Sequence, residues 1–407
     1  MNCIESPLFR ISGDSIRKLL FFTYSLFLIG FFISRTAPNH CKFYYFAVLP
    51  LAIPILPESL RQLNNDTLFR LLALYIAYMA FSAIWSEPFS LRGLRKSIME
   101  GLYVSAFIII TALLCSTYPA RFERLLRTLC LVAGIMAIVA MLVWYSQHPF
   151  PDSRLPGIGR MQFEIRSACA YGLFAIIAGS HAFRTCGVRA HVGYTLLVII
   201  LIFFVILTQS RTALLSVGLG LAILSLTERP RQATISLSLL AGFCSLLLLF
   251  YPALWEGLAS RGESYRPAIW SVVIDNWLQA PIWGHGYLAN TTIHLNTGEE
   301  FNEAHSSYLA MLRDGGIIGL SILLTMLGYA CWQALRFAKQ TGNYILPALL
   351  IYSMSCIVPN DDRLLTRPRE QWLFLWLPLA LILAERLRRK KPTVTPPRPD
   401  QEPMADV

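Results

Sequence analysis

Apolar runs of a length suited to crossing a lipid bilayer recur along nearly the whole chain. A helix needs roughly 20 mainly apolar residues to cross the hydrocarbon layer. Runs near that length, some shorter, lie at 19–34, 43–57, 68–85, 101–116, 128–145, 168–183, 193–208, 212–227, 235–251, 316–335, 343–358 and 371–386. In lipid every backbone N–H and C=O must be paired within the segment. The runs therefore predict an all-α polytopic membrane protein of about twelve transmembrane helices. Only 14% of the 407 residues are charged, against about a quarter in soluble domains. Lys and Arg number 35 against 24 Asp and Glu. In a membrane chain that excess points to anionic headgroups or phosphorylated substrates, and not to nucleic acid. The nine cysteines form no C-x-x-C pair and no metal-ligand spacing, so they read as packing residues. Leu19 to Ile33 is not followed by a small-residue cleavage site and reads as a retained first span.

The organisation expected is one helical bundle over 1–389, interrupted by a single large loop at 252–306, with a disordered Pro-rich tail at 390–407. Arg17 and Lys18 near one terminus and Arg386, Arg388 and Arg389 near the other place both ends in the cytoplasm. The large loop is then periplasmic. The rule is not cleanly obeyed, because the opposite loops also carry Arg92, Arg95, Lys96, Arg154, Arg160, Arg166, Arg211, Arg261, Arg266, Arg363, Arg367 and Arg369. A phosphate-bearing substrate on the outer face explains them, since Arg grips phosphate oxygens with a planar fork. Pairing with Glu164, Asp361, Asp362 or Glu370, or with lipid headgroups, is the alternative.

Within the loop, Pro267 suits the first turn of a helix. Trp270, Val273, Ile274, Trp277 and Leu278 then follow the helical period and end before Pro281. The stripe predicts an interfacial amphipathic helix that holds Arg266 at headgroup depth. Arg266 is either a substrate ligand or a lipid anchor. The glycines of Gly284-His285-Gly286 permit a tight turn, with His285 as its middle residue. A second helix is expected from about Asn302 to Asp314, stopped at Gly315-Gly316, with His305, Tyr308, Leu309 and Leu312 on one face. An imidazole there can take or give a proton near neutral pH, or be merely structural. Arg211, in Ser210-Arg211-Thr212, lies between two apolar runs. A charge so close to hydrocarbon is either functional or an interfacial anchor.

Taken together these motifs resemble the O-antigen ligase/polymerase superfamily of bacterial inner-membrane glycosyltransferases. The resemblance rests on Ser210-Arg211-Thr212 opening a span and on Arg266 with Trp270, followed by Pro281-Ile282-Trp283-Gly284-His285-Gly286. It rests also on Ala304-His305-Ser306-Ser307-Tyr308-Leu309 leading through Gly315-Gly316 into the next span. It covers roughly 195–335, and Ala304-His305-Ser306 stands where the family often has Pro-His-Asn. The length and span number are most similar to the O-antigen ligases of that superfamily.

The resemblance implies an inverting enzyme of the periplasmic face that needs no metal or nucleotide. It implies undecaprenyl-pyrophosphate-linked O-antigen as donor and lipid A–core oligosaccharide as acceptor. It further implies that Arg211 and Arg266 bind the donor pyrophosphate and that His305 acts on the acceptor hydroxyl. Arg154, Arg166 and Arg363 are weaker candidates for the acceptor's phosphates. An O-antigen polymerase or a protein O-oligosaccharyltransferase would share the donor and these residues. A transporter or flippase is disfavoured, because the runs carry almost no ionisable residues at their centres and show no internal repeat.

Overall fold

The computed structural model describes residues 13–228, 230–252, 254, 256, 265–290, 292–295, 298–360 and 363–390. Arg261, Asp361, Asp362 and the expected tail from 391 onward lie outside them.

The protein is almost wholly helical, and each predicted apolar run falls on helix. The elements are α1 Gly13–Ile33, α2 Ala37–Ala52, α3 Leu56–Leu63, α4 Thr67–Ser82, α5 Leu91–Thr117, α6 Pro119–Tyr145 and α7 Glu164–Arg184. There follow α8 Val188–Leu207, α9 Arg211–Thr227, α10 Pro230–Phe250, α11 Arg266–Gln279, a short ribbon of β1 Ile293–His294 with β2 Glu300–Phe301, α12 Ser307–Thr341, α13 Ile345–Cys356 and α14 Leu377–Lys390.

Among the described residues seven helices are long and apolar enough to cross a membrane, or eight if α2 and α3, bent by 76°, count as one span. The chain is thus a multi-pass membrane protein, although fewer helices meet that criterion than the apolar runs suggest. The bend has a local cause. Pro54 removes a donor and its ring clashes one turn back, while Pro57 suits the opening of α3.

One of the apolar runs owes its modest hydropathy to its place. Every residue of α7 from Ser167 to Ser180 is buried, and most are Ala, Gly, Ser or Cys. Small side chains let helices α8 and α9 pack closely on it. A helix walled off from lipid by neighbours does not need a strongly apolar surface. The last segment is also buried but strongly apolar: a π-helical turn, Trp372–Trp376, leads into α14, and the stretch from Trp372 to Ala384 is packed among α5 and its neighbours.

Side-chain and backbone contacts sort the helix ends into two faces. On the terminal face Tyr118 Oη donates to Asp14 (3.1 Å), Arg17 pairs with Glu58 (2.6 Å), Arg184 with Glu228 (3.5 Å), and Arg386 with Asp66, which caps α4 through Leu68 N. On the loop face Arg160 N donates to Ser34 O (3.0 Å), Leu155 N to Leu207 O (3.0 Å) and Ser307 N to Ile357 O (3.0 Å). The Arg160 guanidinium is buried there, bonded to His40 Nδ1 and to Pro368 O (2.7 Å), with Glu370 at 3.8 Å. His40 donates from Nε2 to Phe27 O, which leaves Nδ1 as the acceptor. This knot ties α1, α2, the 146–163 loop and the 363–371 segment together.

The large loop is fastened to the bundle by a crossing of two glycines. Gly284 and Gly316 both adopt positive φ, at 68° and 63°. A Cβ on Gly316 would lie 2.2 Å from Ile282 O, and one on Gly284 would lie 2.4 Å from Gly316 N. So close a crossing lets main chain bond main chain. His285 N donates to Arg313 O (2.9 Å), Gly286 N to Asp314 O (2.8 Å) and Ile317 N to Pro281 O (2.9 Å). Gly316 kinks α12 without ending it, because its freed carbonyls and amides are met by the crossing loop.

Gly316→Ala is expected to destabilise the protein by about 2 kcal/mol or more, since both the φ and the backbone overlap forbid a methyl. Gly218→Ala in α9, where an added Cβ meets nothing within 4 Å, should be neutral or stabilising by about 0.5–1 kcal/mol. Thermal unfolding of the two variants in detergent compares them directly.

Candidate functional site

The large loop builds a hydrophobic unit of its own. Ile269 and Val273 of α11, Ile293 and Leu295 of the ribbon, and Ala304 and Ala310 beside and within α12 form a separate buried cluster, with Trp270, Val272, Phe301 and Leu309 against it. The predicted stripe on α11 is divided between two environments. Val273 faces this cluster, while Ile274 and Leu278 are exposed, as are Ile282 and Trp283 just beyond. An exposed apolar edge of that kind suits a bilayer interface.

The second predicted helix is corrected. Residues 300–301 pair with 293–294 as antiparallel ribbon, Ser306 caps the helix through Leu309 N (3.4 Å), and α12 begins only at Ser307. His305 therefore does not share a helical stripe with Tyr308, Leu309 and Leu312. It stands before the cap with φ 48°, its ring 6.3 Å from that of Phe301. Ribbon pairing and the capping serine together override the apolar spacing that suggested an earlier start. His285 is a structural residue, donating from Nε2 to Asn276 O (2.6 Å) and so fixing the end of α11.

Arg211 and Arg266 are each the first residue of their helix, α9 and α11. A cation at a helix N-terminus opposes the helix dipole, by about 0.3–1 kcal/mol at an exposed site, whereas an anion there is favoured. Their charges also act on each other. Burial first, and then the Arg211 charge, hold the Arg266 guanidinium below its ordinary pKa. Arg266 Nη2 reaches Asn360 Oδ1 (3.5 Å), and the carbonyl of Asn360 accepts from Ser307 Oγ (3.4 Å), two residues after His305. The structure thus gathers the start of α11 and the start of α12 around Asn360, with Arg211 within electrostatic range. Two non-glycine residues with positive φ, Gln209 at 52° and His305 at 48°, flank this assembly. Such backbone costs on the order of 1–3 kcal/mol and persists where surrounding structure enforces it.

The other candidate arginines have protein partners. Arg154 Nε donates to Thr208 O (2.7 Å), at the entrance to α9. Arg166 Nη2 grips both oxygens of Glu303 (2.7 and 3.0 Å) and lies over the Phe163 ring. Arg363 stands on a different flank: its Nε meets Asp314 Oδ2 (3.2 Å), its Nη2 meets Ala289 O (3.1 Å), and it covers the Tyr287 ring. Asp314, 1% exposed, also receives Arg313 Nε on its other oxygen (2.7 Å).

With this arrangement in view, comparison with known proteins is informative. The family model described as O-antigen ligase matches residues 196–324, which take in Arg211, Arg266 and His305. That stretch is similar to the O-antigen ligase family. An O-antigen ligase of Pseudomonas aeruginosa is 27% identical over 357 residues, 87% of this chain and 87% of that protein. The likeness therefore runs well beyond the matched domain. It implies a glycosyltransferase-type enzyme built into a multi-pass membrane protein.

Sequence reasoning passed over Asp314, Glu303 and Asn360. Asp314 could have been singled out as a carboxylate directly beside an apolar run. The other two carry no such signal, because their partners are distant in sequence. Asp314→Asn would leave Arg313 and Arg363 without the shared carboxylate in a buried setting. A loss of about 3–5 kcal/mol is expected, read as a lower unfolding temperature and poor recovery of folded protein from membranes.

Proposed function

We propose that the protein transfers an undecaprenyl-pyrophosphate-linked O-polysaccharide to a sugar hydroxyl of lipid A–core oligosaccharide on the periplasmic face of the inner membrane. The proximity of Arg211 and Arg266 at two helix N-termini carries the reading, since two like charges within electrostatic range, with Arg266 partly desolvated, favour a dianionic partner between them. In this reading the loop face is periplasmic and both termini are cytoplasmic.

The bond that breaks joins the anomeric carbon to the pyrophosphate oxygen. The bond that forms joins that carbon to the acceptor oxygen, entering from the opposite side, so configuration inverts. Negative charge grows on the departing pyrophosphate, where the two guanidiniums meet it with donors already in place. The acceptor hydroxyl loses its proton as it attacks, and His305 accepts that proton. The apolar edge of α11 lies where the polyprenyl chain would leave the site for the bilayer.

In reconstituted membranes with purified donor and acceptor, His305→Ala should lower kcat by about 10²–10⁴-fold, and Arg266→Lys by about 10²-fold, with insertion of the protein unchanged. Full activity of His305→Ala would remove the base from the scheme. In the host, loss of the gene should leave intact core without an O-antigen ladder on a lipopolysaccharide gel. Core bearing a single repeat would identify a polymerase instead.

A further inference from the structure

A second polar site lies on the same face, away from the Arg211–Arg266 pair. It is a cavity of about 480 Å³ walled by Lys96, Arg363, Arg367 and Arg369, with the carboxylates of Glu100 and Glu303 among them. Sites for small ligands run from roughly 300 to 1,000 Å³, so a sugar unit with its substituents fits. All four cations act electrostatically on Glu100, which is buried, so they surround one space.

The charges are unequally committed. Glu303 already holds Arg166, and Arg363 already holds Asp314. Among the described residues no carboxylate lies within ion-pair distance of Lys96, Arg367 or Arg369. Three cations lining one open cavity, with Glu100 as their nearest shared acid and no direct ion pair, fit an oxyanion with two or more charges. Glu100 at the wall can accept hydrogen bonds from hydroxyls, which suits a glycan. Asn302 and Glu303, which also line the cavity, immediately precede Ala304 and His305. Whatever fills the space is therefore next to the segment that carries the histidine.

We propose that this cavity seats the acceptor as an anionic sugar, its phosphate groups on Lys96, Arg367 and Arg369, and so presents a neighbouring hydroxyl to His305. The acceptor as occupant rests on the transfer proposed above, and its delivery to His305 rests also on the role given to that histidine. Phosphate reaches this face from two sources, a phosphorylated glycan and a phospholipid headgroup, and the occupant here is the glycan.

The test uses the full-length protein in nanodiscs and a fluorescent phosphorylated core oligosaccharide, with its phosphatase-treated form as comparison. Arg367→Glu combined with Arg369→Glu, and the milder Lys96→Gln with Arg367→Gln, should each raise Kd for the phosphorylated probe at least about ten-fold. The phosphatase-treated probe should bind the unaltered protein comparably weakly and lose little more in the variants. KM for the lipid-linked donor should not move. Binding should be the same in phosphatidylcholine discs and in discs containing phosphatidylglycerol. An unchanged Kd in the variants, a rise confined to the donor KM, or binding set by phosphatidylglycerol and not by the sugar phosphate would each overturn the proposal. His305→Ala separates the two readings, since it should keep the Kd and lose turnover. Turnover retained by that variant would overturn delivery to His305, and the Kd comparison would still decide the occupant of the cavity.

Discussion

A single buried carboxylate holds the loop face together. Asp314 offers one oxygen to Arg313 beside it and the other to Arg363, nearly fifty residues further along the chain. Arg363 in turn reaches Ala289 O and covers Tyr287, which lies in the large loop. The carboxylate therefore joins three separate stretches: the first part of α12, the loop, and the segment before α14. Charges placed so deep are costly unless every partner is present, so the arrangement is cooperative.

The loop is consequently a small folded body seated on the bundle. Its own apolar cluster holds α11 against the ribbon and the start of α12, and that cluster fixes where Arg266 and His305 stand. Arg211 arrives from the bundle itself, at the start of α9. The candidate site is thus assembled from one element of the loop, one connection within it, and one element of the helical bundle. Asn360 spans the first two through Arg266 and Ser307. Glu303 anchors the strand before His305 to Arg166 at the start of α7.

The all-helical architecture, the loop and the helix α11 were legible in the sequence because each rests on local signals: apolar length, a proline at a helix start, a 3.6-residue period. The candidates Arg211, Arg266 and His305 came from a pattern of motifs rather than from any one of them. What could not be read was whatever depends on a distant partner. The ribbon of Ile293–His294 with Glu300–Phe301 is too short to show alternation, so the start of α12 was expected several residues early. The burial of α7 is invisible in its modest hydropathy, because hydropathy reports composition and not neighbours. The cations of the loop face blurred the charge rule for topology, and the structure gives several of them specific protein partners: Arg154 a carbonyl, Arg160 a buried histidine, Arg166 and Arg363 carboxylates.

The junction at the two glycines is made of main-chain atoms on both sides. Such a seam does not depend on which side chains the adjoining stretches carry, provided that the two positions without a Cβ are kept. The outward surface of the loop is free to be rewritten residue by residue while its attachment to the bundle stays the same. A scaffold of this kind can present different outer surfaces to different ligands without moving the groups it holds beneath them.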